Sequence, residues 1–295
     1  MKAKHVIIYL LLVIVTSSCI RDEAPNAEAD ILSCRLPGIT MTTSPIINNN
    51  SVTLFVTPGT NISALAPEFT LTSGATITPA SGTERNFNSP QEYQVTAADG
   101  IWKKTYAISV IDTELATIYN FEDTISGKKY YIFVERENDK VIMEWASGNA
   151  GYAMTGVAKT ADDYPTFQIA NGKNGKCLSL VTRSTGFFGG LVGMPIAAGN
   201  LFIGSFDVNN AMSNPLQATK FGLPFRHVPT YLAGYYKYKA GDQFTEGGKP
   251  VEGKHDICDI YAIMYETSVS VPTLDGTNAF TSPNLVSMAV SYTHL

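Results

Sequence analysis

The chain has 295 residues, 44% hydrophobic and only 16% charged, enough apolar side chain for two domains with real cores and too patterned for a disordered polymer. A formal charge of −5 and an isoelectric point near 5.4, with no basic run beyond the N-terminus, exclude an electrostatic footprint for nucleic acid. Nucleic acid is therefore not an expected partner.

The first element is a signal. In MKAKHVIIYLLLVIVTSSC, Lys2 and Lys4 precede an apolar run from Val6 to Val15, then small residues and Cys19, so residues 1–19 read as an export signal. The run is too short to anchor the chain as a membrane span. Thr16, Ser17 and Ser18 before Cys19 resemble a bacterial lipobox, although that pattern prefers Leu where Thr16 stands. Cys19 is thus the expected lipidation site, with ordinary cleavage and an incidental Cys19 as the alternative. Residues 20–33 read as a linker, and Ile20, Arg21, Asp22 and Glu23 resemble the surface-export signal of lipoproteins in Bacteroidetes-type bacteria. The resemblance implies an outer-membrane protein, lipid-anchored and facing the cell exterior. Each acyl CH₂ buried in the bilayer is worth about 0.8 kcal/mol, so the folded part needs no membrane face of its own.

Residues 34–112 are rich in Thr, Ser, Val and Ile in short alternating segments broken by Pro, Gly and Asn, as in a small all-β sandwich. Asp99 and Gly100 mark a hairpin between QEYQVTAA and WKKTYAISV. FTLTSGATITPASG and YQVTAADGIWKKTYAISV resemble immunoglobulin-like domains common in surface proteins of the same bacteria. Three cysteines remain after Cys19, at positions 34, 177 and 258, and an odd number cannot all pair internally. Cys177 and Cys258 lie in strand-like runs, where a small buried hydrophobe is the plain reading and a bridge between them the alternative.

Beyond the boundary near 112–117, aromatic and Gly content rises and helical periodicity is nearly absent, so residues 113–289 also read as mostly β. GFFGGLVG, at 186–193, lacks the spacing of a dinucleotide fingerprint and reads as a flexible turn. LAGYYKYKAGD, at 232–242, alternates like a strand. Leu232, Tyr236 and Tyr238 would pack on one face, with Tyr235, Lys237 and Lys239 on the wet one.

Six blocks in order carry a specific resemblance: IYNFED, MEWASGNAGYAMTG, PIAAGNLFIGSF, NPLQATKFGLPFRHVPTYLAGYYKYKAG, CDIYAIMYE and LDGTNAFTSPNLVSMA. They resemble the putative carbohydrate metabolism domain, found in cell-surface lipoproteins of Bacteroidetes. The resemblance implies a galactose-binding-like jelly roll. The expected fold is therefore all-β, an immunoglobulin-like β-sandwich followed by a jelly-roll β-sandwich. Family members usually continue past this point, so the jelly roll is expected to be incomplete. VSYTHL, Val290 to Leu295, matches a reading frame of a sequencing adaptor and is expected to be foreign; a true short C-terminus is the alternative. Without closing strands, the chain as written is expected to be aggregation-prone.

Sugar recognition in such folds uses aromatic rings stacked on pyranose faces with polar groups at the rim. Trp145, Tyr152 and Tyr235 are the candidate rings, with Asn149 and Lys237 as polar partners. Core packing is the competing reading for Trp145, and a solvated tyrosine for Tyr235. A glycosidase would need two converging carboxylates. By type, Glu144, Asp207, Asp256, Asp259 and Glu266 are available, Glu144 with Asp259 being the candidate catalytic pair. His227 and His255 are the histidines outside the signal and the tail, too few for a multi-histidine zinc site. Glu122 and Asp123 stand where many jelly-roll modules hold a structural calcium, and are its candidate ligands. No other cofactor is expected. The leading expectation is glycan binding during polysaccharide capture, with outer-membrane glycan-import proteins as partners. A glycoside-processing enzyme and a structural or adhesive surface protein are the alternatives.

Overall fold

The computed structural model describes residues 25–268 and 270–292, so Cys19, the signal and the last three residues lie outside the described residues. Seven strands build the first domain: β1 (Ile31–Arg35), β2 (Ile46–Ile47), β3 (Ser51–Phe55), β4 (Glu68–Leu71), β5 (Thr76–Thr78), β6 (Gln91–Thr96) and β7 (Lys103–Ile111). They form a five-stranded sheet in the order β2-β3-β7-β6-β5 and a two-stranded sheet, β1-β4. β3 runs parallel to β7, and the remaining pairs are antiparallel. Alternation explains the layers: Val52 and Leu54, Tyr93 and Val95, and Tyr106, Ile108 and Val110 are buried between them. Burying each such Val, Leu or Ile contributes about 1.5–3 kcal/mol.

The hairpin expected at Asp99 and Gly100 is present. The Asp99 carboxylate accepts from the N–H groups of Ile101 and Trp102 while Gly100 takes φ 70°, a conformation glycine adopts without strain. The first domain begins earlier than expected. Ala29 and Ile31 are core residues inside the stretch read as linker, because Asp30 is tied down between them. Its carboxylate accepts from Lys104 Nζ at 2.5 Å and from the Tyr106 hydroxyl at 3.0 Å, and its own N–H donates to Thr72 Oγ1 at 3.2 Å. Hydrogen bonding to Lys104 outweighs partial burial and holds the Asp30 carboxyl below its usual range. Cys34 is buried in the same core, and burial pushes its thiol up to about 12.

The second domain is all-β with short helical turns. A four-stranded antiparallel sheet, β15-β14-β9-β8, joins β8 (Val134–Glu137), β9 (Lys140–Ala146), β14 (Phe202–Phe206) and β15 (Thr219–Phe221). Around it stand two-stranded ribbons: β10 (Thr166–Ile169) with β11 (Cys177–Leu180), β12 (Arg183–Ser184) with β13 (Ile196–Ala197), β16 (Thr245–Glu246) with β17 (Lys249–Pro250), and β18 (Asp259–Tyr265) with β19 (Leu285–Tyr292). Three short helices, α1 (Asn149–Tyr152), α2 (Gly186–Leu191) and α3 (Pro215–Ala218), link them. No helix among the described residues is long and apolar enough to cross a membrane.

Two local expectations are corrected. GFFGGLVG is wound into α2 at Gly186–Leu191 rather than left as a loose turn. The buried Gly189 lies so close to Thr185 that a Cβ would overlap it, and the Thr185 hydroxyl donates to the Met194 carbonyl beyond the helix. Residues 222–242 form no strand, and Tyr236, expected to pack, is exposed. Alternation makes a strand only when a neighbouring ladder accepts its N–H and C=O groups, and no described strand pairs with this segment. Residues Val290–Tyr292 continue β19, opposite Tyr261, Ile260 and Asp259.

Candidate functional site

The site grows from the alternation of β8 and β9. Glu135 pairs with Met143, and Trp145, two residues on, shares their face and stands opposite Ile203 of β14. Trp145 Nε1 donates to Glu135 Oε1 at 2.8 Å, fixing both side chains. Above them runs an aromatic loop. Tyr119 meets the indole edge-on at 5.0 Å and 81°, and Phe121 lies 5.4 Å from it at 56°. Tyr119, Phe121 and Trp145 are half-buried.

The loop is held at some cost. Phe121 adopts φ 57°, a left-handed conformation costing a bulky residue on the order of 1–3 kcal/mol. Neighbours enforce it: Gln168 Nε2 donates to the carbonyls of Phe121 at 2.7 Å and Glu122 at 2.9 Å. The Glu122 carboxylate accepts from the Lys176 N–H at 2.9 Å, and Val134 N–H donates to the Asp123 carbonyl at 3.1 Å. Of the candidate calcium ligands, Glu122 is thus engaged through its carboxylate and Asp123 through its backbone carbonyl. Among the described residues, no group of three or more acidic, His or Cys side chains converges as a metal site.

Burial raises the Glu135 carboxyl above its usual range, the Trp145 N–H opposes this, and the charge of nearby Asp123 adds to it. Burial also raises the Tyr119 phenol, and Glu135 raises it further. The site is thus a ring platform with two acidic groups at its edge. A carboxyl raised in the folded state stabilises the protein fully below its unfolded value and loses that contribution as pH rises through the folded value. Glu135→Gln keeps an acceptor for the indole and removes the charge. The variant should melt higher than the wild type at pH 7, with the gain shrinking toward pH 4; an equal gain at both pH values would contradict this.

The sequence candidates divide sharply. Trp145 stands in the aromatic cluster with Tyr119 and Phe121. Glu144, adjacent in sequence, points to the opposite sheet face, since neighbouring strand residues alternate. There, surrounding protein raises its carboxyl and Lys128 lowers it, although water still reaches the side chain. Asp259 opens β18 in a separate ribbon, so the expected pair with Glu144 spans two sheets. Asn149 is fully buried, donating to the Thr166 carbonyl at 2.7 Å and accepting from the Thr166 N–H at 3.1 Å. Tyr152 is buried too, with its hydroxyl donating to the Ser184 carbonyl at 2.8 Å. Both serve packing. Tyr235 is 81% exposed with Lys173 Nζ 3.2 Å over its ring, and Lys237 is exposed beside it. Lys173 belongs to the β10–β11 turn, the same turn whose Lys176 holds Glu122. Glu135, Tyr119 and Phe121 escaped the sequence reading. The available signal was Glu135 in YIFVEREN, an acid facing inward on a strand whose next turn is polar.

The described residues thus form two all-β domains, with an aromatic cluster edged by carboxylates on the second. Residues 120–294 match the family described as "Putative carbohydrate metabolism domain", more than half of the chain, and the protein belongs to that family. Residues 31–110 match the family described as "SGBP, N-terminal". A crystal structure from Bacteroides thetaiotaomicron, described as a "putative glycoside hydrolase", is 81% identical with a TM-score of 0.87, covering 92% of this chain and 82% of that one. Another so described, from Bacteroides vulgatus, is 48% identical with a TM-score of 0.54, covering 59% of this chain and 70% of that one. No curated protein matches the sequence.

Proposed function

We propose that the protein binds glycan at the cell surface during polysaccharide capture. It is tethered to the outer membrane through Cys19 and hands its ligand to glycan-import proteins. The observation that carries this reading is the half-buried Trp145, its N–H locked on Glu135 and flanked by Tyr119 and Phe121. A pyranose face can stack on such a platform while its hydroxyls reach Glu135 and Asp123. The descriptions of the two matching families support it. Screening the protein from Ile20 onward against plant and host glycans, for binding and for released sugar, tests it. Binding without products is the expected result, and absence of binding across the panel would refute it.

A second reading, glycoside processing, is favoured by the raised Glu135 carboxyl beside Asp123 and by the words describing the two Bacteroides structures. A carboxyl pushed above its usual range near a second carboxylate is the kind of pairing that acid-assisted glycoside cleavage uses. Released sugar that disappears in Glu135→Gln and Asp123→Asn would establish it in place of pure binding.

A further inference from the structure

Outside this site, an unassigned open groove of about 660 Å³ lies beside the segment that joins the two domains, within the size range of small-molecule sites. Its floor is the connecting segment after β7, with Leu115 and Ile142 buried beneath it. Its walls come from the β8–β9 hairpin, which brings Arg136 and Glu137, and from the loop after β15, which brings His227.

The polar groups are held in place. His227 Nε2 lies 3.0 Å from Glu114 Oε2, and its ring rests edge-on against Phe225 at 5.4 Å and 71°. Arg136 is steadied by one bond, Nη1 donating to the Asp139 carbonyl at 2.9 Å, leaving other guanidinium donors free for a ligand. The Thr113 hydroxyl is buried in the lining with no hydrogen-bond partner among the described residues. Thr113 also lines a smaller neighbouring cavity whose far wall is Phe55 and Pro58 of the first domain. Close by, Lys140 Nζ and Asp112 Oδ1, 2.6 Å apart, join β9 to the end of the first domain.

Charge selects the ligand. Glu114 and Glu137 would repel an anion, and Arg136 a cation, while acceptors and donors of both kinds suit a ligand rich in hydroxyls and without charge. We propose that this groove is a second glycan subsite that takes a neutral sugar segment, with Glu114 and Glu137 accepting its hydroxyls, Arg136 donating to its oxygens and the His227 ring lining the wall. The subsite rests on the glycan-binding reading above and makes the domain junction part of recognition rather than a spacer.

The test titrates the full chain with neutral gluco-, manno-, xylo- and galacto-oligosaccharides and follows two NMR signals. The His227 imidazole, assigned with His227→Gln, reports the groove, and the Trp145 indole N–H, assigned with Trp145→Phe, reports the ring platform. Both signals should move. Arg136→Met, an exposed position, should weaken binding about 10-fold and silence the His227 response while the Trp145 response persists. A moving Trp145 with a silent His227 overturns the subsite and leaves the glycan reading standing. Two silent signals overturn both. A His227 response that survives Arg136→Met and Glu137→Gln alike also overturns the subsite, because it then reports a change elsewhere.

Discussion

Replacing Asn149 by alanine is expected to destabilise the second domain by about 2–5 kcal/mol. Asn149 is fully buried and bonds both backbone groups of Thr166, as a paired strand residue would. Alanine leaves a buried N–H and a buried carbonyl without partners, each costing about 1–3 kcal/mol. Thr166 in turn exchanges hydrogen bonds with Asn200, whose side chain accepts from the Gly148 N–H, so the loss reaches the start of α1. The two tryptophans make the measurement selective. Trp102, 64% exposed on the hairpin before β7, reports the first domain and Trp145 the second. In urea, the Trp145 transition should move to lower denaturant while the Trp102 transition stays. An unmoved Trp145 midpoint would mean that Asn149 is not a structural clamp.

Trp145→Ala should lower glycan affinity by at least about 30-fold, on the order of 2 kcal/mol or more, as loss of a central aromatic contact does. Trp145→Phe keeps a ring but loses the N–H that holds Glu135, so its loss should be intermediate. Affinity measured by calorimetry separates the two roles. If the alanine variant folds and binds as tightly as the wild type, the indole is core and the ligand lies elsewhere. Because Trp145 is partly buried among Tyr119, Phe121 and Ile203, the phenylalanine variant also guards against reading a folding defect as a binding defect.

The first domain was largely legible because local signals agreed with long-range pairing there. The alternating runs at 91–96 and 103–111 face a core they were patterned for, and Asp99–Gly100 favours the tight turn between them. Of the aromatic cluster, only Trp145 was singled out from the sequence. Sequence proximity suggested Glu144 as its companion, yet on a strand the neighbour in sequence is the residue pointing away. The true companion, Glu135, lies on the next strand, where register decides. The register there contains a bulge between Glu135 and Arg136, which no composition signal announces. Asn149 misled for a related reason: an amide beside aromatics resembles a sugar-binding rim, whereas its two functional groups match one backbone unit equally well. The tyrosines of 231–238 alternate as a strand does, but pairing requires a partner ladder, and that is a property of the rest of the chain.

The placement of β7 has a mechanical consequence. β7 is the middle strand of the five-stranded sheet, held by β3 along one side and β6 along the other, and it is also the strand by which the chain leaves for the second domain. A pull on the second domain loads β7 along its own axis, across hydrogen bonds that run roughly perpendicular to it. Those bonds bear the load in shear and must fail together rather than one after another, as they would in unzipping. The first domain is thereby built to stay folded when force reaches it through the second.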